Sequence, residues 1–271
     1  MSTSLSPRSV LFVPASRPEL FDKALASGAD RIIIDLEDAV DESGKSSARL
    51  SIERWSETHP DARFLVRINA PSHPAFYEDL RLCRRVEGIE RVMVPKCESA
   101  DALRQAALAG KPLWALVETA RGIAALDSLA AVEGLERLAL GELDLATDLG
   151  LARGSQGARR VIDQLRVALL VASRANRCQP PMAAVSPAID DLARIEAHAR
   201  EAEEMGFAGM LCIHPRQLAV AERWFAPSEQ RLAWARRVVE RAARGEAVFE
   251  LEGEMVDLPV IEAARRLLAR A

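Results

Sequence analysis

Residues 31–36, RIIIDL, form a mainly apolar run, with three isoleucines at its centre, that leads directly into Glu37 and Asp38. The centre of this run is β-branched, which is typical of a parallel strand that is buried on both faces. A short apolar run that ends on a polar or charged residue occurs eight times along the chain. The other seven runs end at or near Arg17, Arg67, Lys96, Glu118, Asp144, Ser186 and His214.

Segments with helical periodicity separate these eight runs, and the spacing from run to run is about 20 to 45 residues, which is enough for a crossover helix between parallel neighbours. The sequence therefore predicts an α/β protein with a (β/α)8 TIM barrel, in which the carboxyl ends of all strands share one face. A doubly wound open sheet is the competing architecture, and it is disfavoured because no GxGxxG follows the first run. The predicted strands are 10–14, 31–36, 64–68, 92–94, 113–117, 138–140, 182–185 and 209–213.

The sequence after the eighth run is longer than barrel closure requires. It predicts a helix over 229–243, a turn, the segment VFELEGEMVDLP (248–259) without an assigned structure, and a last helix. We therefore expect the barrel to occupy residues 1–226 and a C-terminal helical extension to occupy residues 227–271.

The composition indicates one globular domain of 271 residues with a net charge of -4. A chain of this charge with no basic run gives no reason to expect nucleic acid or a membrane surface as a partner. No apolar run has the length of a signal peptide or a membrane span, so a cytoplasmic location is expected. The four cysteines have no CxxC or zinc-like spacing, which favours reduced structural thiols.

Two carboxylates follow neighbouring predicted strands, Glu118 after the fifth and Asp144 after the sixth. Neighbouring strand ends converge in a barrel, and Mg²⁺ prefers one or two carboxylates together with waters and substrate oxygens. The pair is therefore a candidate magnesium site. The alternative is that Glu118 caps the following helix and Asp144 is a solvated loop acid.

Two cations also stand at strand ends. Arg67 lies in an apolar strand, where we expect it to grip a substrate carboxylate or polarise a carbonyl, to form a buried ion pair with Asp35 or Glu37, or to do both. Lys96 is either a Schiff-base lysine or a cation that holds a carboxylate or phosphate, and the second role is favoured because the metal pair already supplies an electrophile.

The remaining candidates support these groups. Asp35, Glu37 and Asp38 are either a solvated acidic loop or the acids that orient Arg67 and Lys96. His214 is either a general base or a hydrogen-bonded structural residue, and the structural role is favoured.

Seven motifs in order resemble the citrate lyase beta-chain-like group of the HpcH/HpaI aldolase superfamily, which is related to malyl-CoA and citramalyl-CoA lyases. The resemblance covers about residues 8–227, and the tail GEMVDLPVIEAA (253–264) is similar to the C-terminal segment of the family. The motifs are RSVLFVPASRPE (8–19), GADRIIIDLEDAV (28–40), LVRINA (65–70), VMVPKCES (92–99), ALVETARG (115–122), GELDLATDLG (141–150) and CIHPRQL (212–218).

This resemblance implies Mg²⁺ on Glu118 and Asp144, and Arg67 against the 2-oxo acid part of the substrate. It also implies that Asp257 enters a neighbouring subunit as an acid or base, so a homotrimer or hexamer is expected. We expect the substrate to contact Arg67, Glu37, Lys96, Glu118 and Asp144. We expect Asp35, Asp38 and His214 to support these residues without contacting the substrate.

The implied activity is Mg²⁺-dependent carbon–carbon cleavage, or formation, of a 3-hydroxy-acyl thioester such as citryl-, citramalyl- or malyl-CoA. The partners would be a 2-oxo acid or glyoxylate and a CoA or acyl-carrier thioester. Three alternatives stay open: a metal-dependent aldolase on free 2-oxo acids, a malyl-CoA thioesterase, and a beta subunit that acts only within an acyl-carrier citrate lyase complex. The stretch Ser186-Pro187-Ala188 departs from the family pattern, which leaves the acyl group open.

Overall fold

The structure, a computed structural model, describes residues 6–269. Eight parallel strands follow one another in chain order and form a closed barrel, since β1 pairs with both β2 and β8. The predicted (β/α)8 barrel is confirmed. Its strands are β1 (Ser9–Pro14), β2 (Arg31–Asp35), β3 (Phe64–Arg67), β4 (Ile89–Val94), β5 (Leu113–Val117), β6 (Leu135–Leu140), β7 (Gln179–Ala183) and β8 (Gly209–Cys212).

Helices surround the barrel. The spacing of apolar residues predicts one short helix near residues 123–129, but the structure has two short helices there. The first begins directly after Thr119 because the Thr119 hydroxyl caps it. A helix also begins at Glu142, where the sequence analysis expected a loop. The helices of the barrel are α1 (Phe21–Leu25), α2 (Lys45–Thr58), α3 (Phe76–Arg85), α4 (Ala100–Ala106), α5 (Ala120–Ala124), α6 (Leu126–Ala130), α7 (Glu142–Asp148), α8 (Gln156–Ala175), α9 (Leu192–Met205) and α10 (Leu218–Phe225), with 3-10 turns at Pro18–Leu20, Glu42–Gly44, Ala107–Ala109 and Pro215–Gln217.

Two apolar layers hold the barrel together. Inward-facing side chains from successive strands fill its interior, with Ile33, Leu65, Met93 and Trp114 among them. A larger buried cluster fills the space between the strands and the surrounding helices. Since the interior is packed, the space for chemistry is at the ends of the barrel.

The segment after α10 folds around a small core of its own. It consists of α11 (Glu229–Ala243), an antiparallel hairpin of β9 (Phe249–Leu251) and β10 (Glu254–Val256), and α12 (Leu258–Leu268). The hairpin is the part to which the sequence analysis assigned no structure. Residues 1–5 and 270–271, which begin and end the two expected regions, lie outside the described residues.

The extension packs against the amino-terminal ends of the barrel strands. Arg231 of α11 pairs with Glu203 near the end of α9 at 2.7 Å, and Trp234 and Arg266 face a cavity that the first residues of several strands also line. The carboxyl ends of the strands are therefore at the opposite end of the barrel from the extension. Among residues 6–269, no helix has the length and apolar character needed to cross a membrane.

Replacing Gly209 by alanine should destabilise the barrel, because a Cβ at this first residue of β8 would lie within 2.5 Å of the Arg8 carbonyl oxygen at the closing β1–β8 edge. Overpacking of this kind typically costs about 1 to 3 kcal/mol. Urea unfolding followed by circular dichroism measures the loss. Gly157→Ala in α8, where the nearest atom to a Cβ is 3.9 Å away, is the control and should be neutral or slightly stabilising. Equal midpoints for the two variants would contradict this account of closure.

Candidate active site

Six of the predicted site residues gather at the carboxyl ends of four successive strands: Asp35, Glu37, Asp38, Arg67, Lys96 and Glu118. Asp35 and Arg67 are the last residues of β2 and β3, and Lys96 and Glu118 closely follow β4 and β5. Glu37 follows β2 and contacts both cations. The (β/α)8 topology therefore brings together side chains that are more than 80 residues apart in sequence.

A buried ion pair between Arg67 and Asp35 joins β2 to β3. Nε and Nη2 of Arg67 donate to the two carboxylate oxygens of Asp35 at 2.7 and 2.6 Å, and Nη1 lies 2.9 Å from Oε2 of Glu37. Burial by itself lowers the pKa of Arg67, but its acidic neighbours outweigh this effect and raise the pKa, so the guanidinium stays charged. The ion-pair interpretation of Arg67 is confirmed. The guanidinium also lies 5.1 Å from the centre of the Phe12 ring.

Lys96 is held by acids rather than kept neutral. Its ammonium group pairs with the Glu37 carboxylate and lies 3.4 Å from Oδ1 of Asp38. Burial lowers the pKa of Lys96, whereas the hydrogen bond to Glu37 and the charges of nearby acids raise it, and the net shift is upward. A Schiff-base lysine has to lose its proton, so the structure favours the other interpretation, a cation that holds a carboxylate.

Glu118 is almost fully buried, at 1% exposure, and its Oε1 accepts the backbone N–H of Lys96 at 2.8 Å. Lys96 adopts a left-handed backbone conformation, with φ of 47°, at this point. A Cβ on Gly141 would lie 2.6 Å from Oε2 of Glu118, so glycine is required beside the carboxylate. The interpretation of Glu118 as a helix cap is wrong, since Thr119 caps α5.

The surroundings of Glu118 favour its protonated form when no cation is present. Burial is the main cause, and together with the negative charges of Glu37 and Asp144 it raises the pKa of Glu118 to about 8. The backbone N–H of Lys96 and the charge of Arg67 lower the pKa of Glu118, but they only partly offset the effects that raise it. Burial also raises the pKa of Glu37. A carboxylate that is costly to ionise is stabilised by a cation placed beside it.

Asp144 is exposed and lies in the first turn of α7 rather than in a loop. Its position depends on two residues that the sequence analysis missed, Glu142 and Arg166. Nε and Nη2 of Arg166 on α8 donate to both oxygens of the Glu142 carboxylate at 2.7 and 3.0 Å, which fixes the start of α7 against α8. The sequence feature that could have identified this pair is an arginine on the apolar face of α8, between Ile162 and Leu169.

The free carboxylate oxygens fit a magnesium ion with two protein ligands. Among residues 6–269, neither Oε2 of Glu118 nor the Asp144 carboxylate has a recorded hydrogen bond. No group of three or more His, Cys, Asp and Glu side chains in this part of the chain is arranged to hold a metal ion. Two carboxylates with water and substrate oxygens suit Mg²⁺, whereas a structural zinc site would need four ligands. The site contains five carboxylates and two cations, so a divalent ion also reduces a formal excess of three negative charges.

The last two predicted residues lie apart from this group. His214 follows β8 at the same end of the barrel, and its ring nitrogen caps a 3-10 turn by accepting the N–H of Arg216 at 3.2 Å, as the structural interpretation expects. Asp257 precedes α12 in the extension, which contacts the other end of the barrel. The barrel strands separate the two ends by roughly 15 to 20 Å, and among residues 6–269 the structure shows no ion pair or hydrogen bond between Asp257 and Arg67.

The chain belongs to the HpcH/HpaI aldolase/citrate lyase family, whose model matches residues 8–215. This family membership confirms the prediction of a carbon–carbon lyase.

Relatives and a solved structure match the chain over nearly its whole length. A citrate lyase subunit beta-like protein from Mycobacterium tuberculosis is 39% identical and covers 96% of this chain and 94% of its own length. A (3S)-malyl-CoA thioesterase from Cereibacter sphaeroides is 33% identical over 97% of this chain and 94% of its own. The crystal structure of the protein CitE from Mycobacterium tuberculosis in complex with magnesium, acetoacetate and coenzyme A has a TM-score of 0.84 and 36% identity, covering 99% of this chain and 98% of that chain.

The metal-free protein should lose stability as the pH rises from about 4.5 towards 8. The pKa of Glu118 is higher in the folded chain than its ordinary value of 4.5, so the folded state holds a proton that the unfolded state has released. The measurement is urea unfolding in EDTA at about pH 5 and about pH 8.5. Glu118→Gln should flatten the dependence, whereas Glu133→Gln, at an exposed loop position, should retain it. If the wild type and Glu118→Gln had equal slopes, the raised pKa would be refuted.

Proposed function

We propose that this protein is a Mg²⁺-dependent lyase that cleaves, and in reverse forms, a 3-hydroxy-acyl thioester such as malyl-, citramalyl- or citryl-CoA. The products of cleavage are a 2-oxo acid or glyoxylate and an acyl thioester. The observation that carries the proposal is the pair of free carboxylates, Glu118 and Asp144, beside the acid-held cations Arg67 and Lys96. The magnesium, acetoacetate and coenzyme A in the related CitE structure support it.

Glu118 and Asp144 would hold the metal ion. When bound, Mg²⁺ supplies a Lewis acid to the carboxylate and hydroxyl oxygens of the substrate. The protein's part is to keep both carboxylates in place, through the backbone N–H of Lys96 for Glu118 and through the Arg166–Glu142 pair for α7. The negative surroundings of these carboxylates explain why an anionic substrate needs the cation.

Arg67 and Lys96 have donors left for the substrate. Nε and Nη2 of Arg67 donate to Asp35, and Nη1 lies 2.9 Å from Glu37 and 3.5 Å from Asp38, so the remaining N–H groups are available to the carboxylate of the 2-oxo acid part. Lys96 likewise has three N–H groups and two carboxylate neighbours. Because these acids fix both side chains, little side-chain freedom is lost when the substrate binds.

Cleavage breaks the O–H bond and one carbon–carbon bond of the substrate. The hydroxyl proton passes to solvent, the O–H electron pair becomes the π-bond of the new carbonyl, and the electrons of the broken carbon–carbon bond pass to the thioester as an enolate. Asp257 of the partner subunit, in its protonated form, then gives its proton to the enolate carbon and regains one from solvent, and in condensation it removes the proton from that carbon. This role supports a homotrimer or hexamer, since the extension lies at the wrong end of its own barrel.

Glu118→Gln and Asp144→Asn should each lower Mg²⁺-dependent turnover by about a hundredfold or more, because a metal ion contributes several kcal/mol to stabilising developing charge. The assay is mass spectrometry of products from malyl-, citramalyl-, methylmalyl- and citryl-CoA, with Mg²⁺ and with EDTA. Glu133→Gln is the matched control and should retain full activity. A Glu118→Gln variant with undiminished Mg²⁺-dependent turnover would remove this assignment.

Mixing two inactive variants should restore activity if Asp257 acts between subunits. Glu118→Gln subunits keep Asp257, and Asp257→Asn subunits keep the metal ligands, so mixed oligomers assembled after dilution from mild denaturant contain complete sites. Random assembly of equal amounts in a ring makes about one quarter of the sites complete. Glu254→Gln, on the exposed hairpin, is the control that stays active alone. Failure of the mixture to regain turnover, with mixed oligomers shown by native mass spectrometry, would contradict the role of Asp257 between subunits.

Hydrolysis is the second candidate function, and the 33% identity to a (3S)-malyl-CoA thioesterase favours it. The same product analysis separates the two reactions, because a thioesterase releases free malate whereas a lyase releases glyoxylate and acetyl-CoA. Turnover of a free 2-oxo acid without CoA would indicate an aldolase. Turnover only with an acyl-carrier protein would indicate a subunit of a citrate lyase complex.

A further inference from the structure

A cavity of about 1660 Å³ lies at the end of the barrel opposite the candidate active site. Residues at or near the starts of the barrel strands, among them Arg31 of β2 and Trp114 of β5, form one wall of the cavity. Helices α11 and α12 of the extension form another wall. Small-molecule pockets are typically about 300 to 1,000 Å³, so this space, the amino-terminal cavity, has room for a ligand of nucleotide size.

Positive charge dominates the lining of the amino-terminal cavity. Eight arginines and two glutamates line it, although the whole chain has a net charge of -4. Four of the arginines pair with carboxylates. Three others have no recorded ion pair or side-chain hydrogen bond among residues 6–269: Arg174, Arg177 and Arg266. The four pairs are Arg31–Glu90, Arg91–Glu136, Arg231–Glu203 and Arg237–Glu252.

The three unpaired arginines approach the cavity from separate elements. Arg174 is in the last turn of α8, Arg177 is in the following turn with φ of 59°, and Arg266 is in the last turn of α12. Like charges gathered in a concave space with apolar walls focus a positive potential there. Each guanidinium can also bind an anion with two parallel N–H groups. The arrangement suits one ligand that carries several anionic groups.

We propose that the amino-terminal cavity binds a small polyphosphate anion, at a site separate from the active site. Phosphate groups fit because each offers several charged acceptor oxygens to arginine. A ligand that contacts Arg174 and Arg177 together with Arg266 connects the barrel to the extension. Inorganic polyphosphate and nucleotides share this chemistry, and the test separates them.

The test is isothermal titration calorimetry, which measures the affinity of the full-length chain for inorganic triphosphate in a buffer without divalent cations. The wild type should bind it, and the triple variant Arg174→Gln, Arg177→Gln, Arg266→Gln should bind at least about tenfold more weakly. The charge-matched control is the triple variant Arg54→Gln, Arg84→Gln, Arg194→Gln. These three arginines are exposed, have no recorded side-chain partner among the described residues, and lie outside the cavity.

Two results would overturn the proposal: no binding of triphosphate by the wild type, or equally weakened binding in both triple variants. Arg266→Gln alone, at an exposed position, keeps the test valid if the triple variant fails to fold, and it too should weaken binding. ATP that binds more tightly than triphosphate would identify a nucleotide as the ligand, and equal affinities would identify the phosphate groups alone. Citrate that binds while triphosphate does not would refute the phosphate assignment.

Discussion

The buried pair between Arg67 and Asp35 is the interaction on which the rest of the site depends. It ties the carboxyl ends of β2 and β3 together, and the same guanidinium holds Glu37. Glu37 in turn holds the ammonium group of Lys96, whose backbone N–H orients Glu118. Removing one partner of such a pair typically costs about 3 to 5 kcal/mol, since a buried charge remains without compensation. The contacts therefore form a continuous series from β2 to the residue that follows β5.

The same series leaves the site with more negative than positive charge. Burial, together with the negative charges of Glu37 and of Asp144 on α7, raises the pKa of Glu118 to about 8. A divalent cation is the simplest group that relieves this imbalance and also attracts a carboxylate substrate. Arg67 and Lys96 are held in place before any ligand arrives, which is what orientation of a small acid requires.

The candidate active site and the amino-terminal cavity, at opposite ends of the barrel, differ in charge. Acids outnumber cations in the active site, whereas arginines outnumber acids on the lining of the cavity. Parallel strands produce this separation, because every strand places its first residue at one end and its last residue at the other. Asp257 belongs to the extension, which is why the proposed role of this residue places it in the active site of another subunit.

Much of the fold and part of the site could be predicted from the sequence. The eight apolar runs determined the barrel, because β-branched strands buried on both faces leave a local signal, and they placed Arg67 and Glu118 at one end. Helix α7, the Arg166–Glu142 pair and the raised pKa of Glu118 were decided only by the tertiary structure. The physical reason is that each depends on burial and on partners that are distant in sequence: Glu142 and Arg166 are 24 residues apart, and Glu118 and Glu37 follow different strands.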